Sequence, residues 1–250
     1  MQRVDNTIAK NYLNKSKYLK LAHWYLLFLK NIYILVRHYN KTSWHTKTLN
    51  DEAIEKNYRI FYNTLYRELE SKKSGYPNNM FNERALGFLV YYLCKSVSPK
   101  NILETGIANG FTSRIIRESL EKGHLYSTEV DKNTGILAIG NFKVKWEKII
   151  GYKYFNLMEA LSVMKNIDLF ILDSGHSYEN KLFELTVVHT KFPGSLVLTG
   201  ALAMKAIIQH CKTNRLDFLI VPSYPTSFCL IFPHVKRERL LQSLRTRKKY

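Results

Sequence analysis

A chain of 250 residues and 29.4 kDa holds one domain with an extension, or at most two small domains, and a composition 46% apolar and 23% charged lets it bury a core. Its 11 Gly and 6 Pro exclude collagen-like and linker-like classes, and charges interrupt every stretch long enough to cross a bilayer as a clean helix. The 38 Lys and Arg against 20 Asp and Glu, a net charge of +18, call for an explanation.

The excess sits at the two ends. Residues 1–50 net +8 and residues 236–250 net +6, while the stretch between them nets only +4. Basic ends are attracted to polyanions, whether anionic lipid, nucleic acid or an acidic partner, or they form a solvated surface. Cys94, Cys211 and Cys229 are far apart, with no CxxC and no zinc spacing, and they read as thiols in a reducing compartment. The N-terminus is too polar for a signal peptide, so a cytoplasmic location is expected.

Residues 18–36, YLKLAHWYLLFLKNIYILV, are apolar around the whole helical circumference and interrupted by Lys20 and Lys30. This reads either as an interfacial helix whose flanking lysines meet anionic lipid, peripheral at the inner membrane surface, or as a helix packed on the main domain or on a second copy in a homodimer. Residues 51–73 predict a surface helix, with acids Asp51 and Glu52 at its start and Lys72 and Lys73 at its end. The turn-rich Ser74–Asn79 marks a boundary, giving a basic helical extension (1–78), a main domain (79–235) and a basic tail (236–250). Glu83–Lys95 predicts a helix.

From residue 100 short apolar runs alternate with helical segments. Strands are expected at 101–104, 124–129, 146–150, 167–173 and 195–199. Helices are expected at 113–122, 133–142, 157–165, 179–191 and 201–214. A final pair of strands, 218–221 and 228–232, is joined too closely to be anything but antiparallel. The series predicts an α/β protein, a Rossmann-like doubly wound sheet of about seven strands with a reversed last strand.

The chemistry concentrates at strand ends. Glu104-Thr105-Gly106-Ile107-Ala108-Asn109-Gly110 leaves a strand and opens a helix, and its two glycines suit a tight turn close to a ligand. The spacing is neither G-x-G-x-x-G nor the phosphate loop. Glu129 closes the second strand, where an acid accepts from ribose hydroxyls, and Asp173 closes the fourth. Three strand-end acids are thus expected to converge on one site.

E-T-G-x-x-x-G, S-T-E-V-D and D-L-F-I-L-D-S-G-H-S-Y-E together resemble the class I S-adenosylmethionine-dependent methyltransferases over roughly residues 80–235, in the branch of sugar and small-molecule O-methyltransferases. The resemblance implies that S-adenosylmethionine is the cofactor. Glu104, Thr105, Gly106, Ala108, Asn109 and Gly110 would lie on its methionine side, Glu129 would hold the ribose, and Gly151–Tyr154 would lie near the adenine. Asp173 would stand in the same crevice, and His176 would be the general base. Tyr178 is a candidate for placing the acceptor.

Relatives that bind Mg²⁺ carry acids at the ends of strands four and five. Here Thr199 and Gly200 occupy the second position and Gly175 replaces a further acid, so little or no metal dependence is expected. The acceptor is expected to be a sugar, glycan or small-molecule hydroxyl. Two alternatives are a nucleic-acid methyltransferase, supported by the basic ends, and a non-catalytic methyltransferase-like binding protein.

Overall fold

The computed structural model describes residues 51–71, 80–152, 154–221 and 227–233. The expectations for residues 18–36, for the break at 74–79 and for the basic tail lie outside these residues. Among the described residues six helices and seven strands follow in chain order: α1 (Asp51–Ser71), α2 (Met80–Val97), β1 (Asn101–Thr105), α3 (Phe111–Ser119), β2 (His124–Glu129), β3 (Lys145–Ile150), α4 (Phe155–Val163), β4 (Leu169–Leu172), α5 (Tyr178–Lys191), β5 (Leu196–Gly200), α6 (Met204–Asn214), β6 (Asp217–Val221) and β7 (Phe228–Phe232).

The strands form one sheet in the order β3-β2-β1-β4-β5-β7-β6. The neighbouring pairs from β3 through β5 are parallel, and β7 runs antiparallel to both β5 and β6. This is the doubly wound architecture with a reversed last strand that the sequence predicts. Helices cover both faces because the strands are apolar on both. Ile102, Leu169, Ile171, Leu196, Leu198 and Leu230 face one core with residues of α1, α2 and α3. Their neighbours Leu103, Phe170, Leu172, Val197, Cys229 and Ile231 face the other core with α4, α5 and α6. All three cysteines are buried free thiols.

The helix α1 joins the first core through Ile54, Tyr58 and Leu65. Tyr58 stands edge-on to Phe88 of α2, with ring centroids 5.2 Å apart. Among the described residues no helix is long and apolar enough to cross a membrane.

The helix expected over 133–142 is absent, and residues 131–142 run as turns instead. Gly135 (φ +79) and Gly140 (φ +152) adopt backbone conformations that a helix does not use. Arg117 of α3 reaches this segment and donates to the carbonyls of Ala138, Gly140 and Val144. Its guanidinium also lies over the rings of Phe142 and Trp146. Helix 201–214 likewise starts late, at Met204, because Ala203 sits at φ +59.

Gly87 is where α2 meets its neighbours most closely. A β-carbon there would lie 2.6 Å from Ile115 Cδ1, 2.6 Å from the Tyr58 hydroxyl and 2.8 Å from Phe111 Cε1. Gly87→Val is therefore expected to destabilise the fold by about 1–3 kcal/mol in urea unfolding. Unchanged stability would contradict this packing of α1, α2 and α3.

Candidate functional site

The turn after β1 is fixed from three sides. The Gly106 N–H donates to the Thr128 carbonyl at 3.0 Å. Gly106 has φ +88, and a β-carbon there would stand 2.5 Å from the Asp173 carbonyl oxygen, so the turn rests directly on the backbone leaving β4. One Glu129 oxygen accepts from the N–H groups of Ile107 (3.0 Å) and Ala108 (3.2 Å), and the other accepts from Val130 N–H (2.8 Å). Ala108 itself is held at φ +47. Asn109 Oδ1 takes the Phe111 N–H at the start of α3.

This turn forms part of the wall of a cavity of about 560 Å³ at the carboxyl ends of the parallel strands, within the range of small-molecule sites. Gly106, Ala108, Asn109, Glu129, Asp173 and His176 all stand in that wall. Glu104 and Thr105 do not: alternation along β1 turns them to opposite faces beneath it. Gly110 packs against Gly135, with room for no side chain: a β-carbon there would lie 2.7 Å from Gly135 Cα. Tyr178 is engaged elsewhere, its hydroxyl bonded to Gln209 of α6.

Glu104 is fully buried. Its Oε2 accepts from Ser113 of α3 (2.5 Å) and from Ser127 of β2 (2.6 Å), while Oε1 is without a partner among the described residues. Burial pushes its pKa up to about 7; the two serine hydroxyls oppose that rise, and the charges of Asp173 and Glu129 add to it.

On the other face Thr105 donates to Glu184 Oε2 of α5 at 2.8 Å. Glu184 Oε1 accepts from Ser174 (2.6 Å) and Asn180 Nδ2 (2.9 Å). Asn180 Nδ2 also reaches the Gly175 carbonyl at 3.1 Å, so α5 carries the loop that presents His176. Ser177 caps α5, accepting from Asn180 N–H at 3.2 Å. His176 lies exposed at the rim, its pKa lowered by desolvation and then by the Lys181 charge.

Lys181 is also fully buried, its Nζ 2.7 Å from Thr199 Oγ1 and 3.4 Å from the Gly200 carbonyl. Desolvation lowers its pKa, opposed by Asp173 and Glu184. The Lys181 amine thus occupies the end of strand five, beside Thr199 and Gly200. Among the described residues no group of three His, Cys, Asp or Glu side chains is arranged to hold a metal ion.

Asn156, Asn180, Lys181 and Glu184 were not legible as site residues. Asn156 of α4 lines the cavity and ties strand ends together through Nδ2, 3.1 Å from the Glu129 carbonyl and 3.2 Å from that of Gly151. The available signal was the stripe 180, 181, 184, 185, 188 on α5, in which polar residues share the buried face with Leu185 and Val188.

No family model matches the sequence, and no curated protein does. Solved structures match in fold. An O-methyltransferase from Bacillus cereus in complex with SAH is 13% identical, with 75% of this chain and 93% of that one covered and a TM-score of 0.48. The O-methyltransferase TomG from Streptomyces achromogenes, in complex with SAM, is 14% identical with 76% and 92% covered and a TM-score of 0.49. A ribosomal protein L11 methylase from Lactobacillus delbrueckii subsp. bulgaricus is 14% identical, with 64% and 81% covered and a TM-score of 0.47.

Because its folded-state pKa is raised, Glu104 keeps its proton where the unfolded chain has lost it. The stability this confers is complete below the unfolded value of 4.5 and is lost as pH rises to about 7. Glu104→Gln removes that loss. Urea unfolding across this range is expected to show the variant gaining stability relative to the natural chain as pH rises, and a pH-independent difference would contradict the assignment.

Proposed function

We propose that this chain is an S-adenosylmethionine-dependent methyltransferase acting on a hydroxyl of a small molecule or sugar. The observation that carries the reading is the donor-seeking character of the crevice. Asn156 Oδ1 and Asn180 Oδ1 are buried acceptor oxygens without partners among the described residues, on side chains that line a cavity also presenting Glu129 and Asp173. A buried acceptor left unbonded is costly, so the site is complementary to a ligand rich in donors. S-adenosylmethionine is such a ligand, with an ammonium, an adenine amino group and two ribose hydroxyls. The close-packed Gly106 turn adds a surface without side chains for it to lie against.

In this reading Glu129 takes the ribose hydroxyls, Asn156 lies on the adenine side near Gly151, and Gly106, Ala108 and Asn109 line the methionine side. When bound, the cofactor supplies an electrophilic methyl group on a sulfonium. The protein positions the acceptor in line with that methyl and receives the hydroxyl proton. His176 is suited to receive that proton, because its lowered pKa keeps the imidazole neutral, with one unprotonated nitrogen as the acceptor. The Thr105–Glu184–Asn180 bonds hold the loop that carries it. Glu184 and Lys181 act as positioning residues here, bonded to the scaffold beneath the loop and the end of β5.

Calorimetric titration tests the reading. The chain is expected to bind S-adenosylhomocysteine with micromolar affinity, about −8 kcal/mol. Glu129→Ala should weaken binding at least tenfold, and His176→Ala should retain it while abolishing turnover. A folded chain that binds neither S-adenosylmethionine nor S-adenosylhomocysteine would overturn the proposal.

A further inference from the structure

The charge of the cavity runs against that of the chain. Over the sequence Lys and Arg outnumber Asp and Glu 38 to 20. Among the described residues the cavity wall holds Glu129, Asp173 and Glu184 and no lysine or arginine. The buried Lys181 amine stands outside the wall, bonded to Thr199 and the Gly200 carbonyl, with Asp173 and Glu184 close enough for their charges to oppose its desolvation.

Glu129 serves the turn after β1. The other half of the cavity, at the ends of β4, β5 and β7, sets Asp173 and Glu184 against the apolar side chains of Leu86, Phe111, Leu202 and Phe228. Asn180, only 2% exposed, adds an amide oxygen without a partner among the described residues. Carboxylates and an unmet carbonyl favour N–H donors and positive charge and oppose a second anion. The apolar walls strengthen both effects by lowering the local dielectric.

We propose that this half of the cavity binds an organic cation, an amine-bearing molecule with an apolar body, and discriminates against carboxylated and phosphorylated ones. Calling that molecule the methyl acceptor rests on the methyltransferase reading, whereas the charge preference rests on the wall alone.

Gly200 supplies a way to locate the bound molecule. A β-carbon there meets no heavy atom within 4 Å. Alternation along β5 turns position 200 to the face of Leu198, where Leu86, Phe111 and Phe228 also lie. Gly200→Leu thus starts from a β-carbon that displaces no packed atom and extends toward the apolar half, on the far side of Asp173 from Glu129 in the strand order.

The test uses the full chain saturated with S-adenosylhomocysteine and three probes of similar shape, benzylamine, benzyl alcohol and benzoate, followed by saturation-transfer NMR titration. Benzylamine is expected to bind about tenfold or more tightly than benzoate, with benzyl alcohol between them. Gly200→Leu should abolish benzylamine binding while cofactor-product binding persists, and Asp173→Asn should narrow the gap between amine and carboxylate. Benzoate binding as well as benzylamine, no benzylamine binding at all, or benzylamine binding that survives Gly200→Leu would each overturn the inference. Should a variant fail to fold, the order of the probes on the natural chain decides alone. A chain that prefers the amine but never binds S-adenosylhomocysteine refutes the methyltransferase reading and leaves the cation site standing. A chain that binds S-adenosylhomocysteine but prefers benzoate refutes the cation site only.

Discussion

The contact between Gly106 and the backbone of Asp173 governs the rest of the site. No other residue allows the turn after β1 to sit on the end of β4, since a β-carbon would reach 2.5 Å from the Asp173 carbonyl oxygen. Three things follow from that approach. The turn is short enough for Glu129, one strand away, to collect two of its N–H groups. The carboxyl ends of β1, β2 and β4 open into one cavity. The loop after β4 is pinned at its first residue, so its direction over α5 is set by the bonds that Glu184 and Asn180 make.

Those bonds form a polar layer inside an otherwise apolar core. Buried charges are tolerated only when their bonding capacity is largely met. Glu184 meets the condition with three donors, from Thr105, Ser174 and Asn180. Lys181 meets it through Thr199 and Gly200, with Asp173 and Glu184 as the charges that oppose its desolvation. Glu104, whose pKa burial pushes up to about 7, escapes much of this cost by keeping its proton, with two serine hydroxyls on one oxygen and nothing among the described residues on the other. The layer therefore has a part in which both Glu184 oxygens are bonded, which holds the loop bearing His176, and a part at Glu104 that is bonded on one oxygen only among the described residues.

The sheet was legible in the sequence because its strands are apolar on both faces and bounded by turn residues, and the antiparallel closure followed from the short separation of the last two runs. The helix expected at 133–142 failed to form because two glycines in an apolar stretch admit either a weak helix or a string of turns. The reach of Arg117 into that segment, with the N–H groups of Gly135 and Leu137 donating to the carbonyls of Ala108 and Asn109, decides between them. The places of Glu129 and Asp173 at strand ends, and of His176 three residues beyond Asp173, were legible, and all three stand in the cavity wall. The depth of Glu104 was not, because pattern alone does not say how far down a strand-end acid lies; its pairing with Ser127 across β1 and β2 puts it beneath the wall. Lys181 and Glu184 escaped notice because in the sequence they look like ordinary charges on a helix, and their burial depends on partners 18 residues downstream and 79 residues upstream.

The central claim is that one ligand completes this polar layer by binding across the turn after β1, the end of β3 and the loop after β4. Hydrogen exchange of the full chain, followed by mass spectrometry with and without S-adenosylhomocysteine, measures it directly. The account predicts slowed exchange in peptides spanning residues 104–112, 127–132, 150–157 and 173–180, with the N-terminal ends of the strands unchanged. Protection elsewhere, or no protection in these four segments, would contradict it.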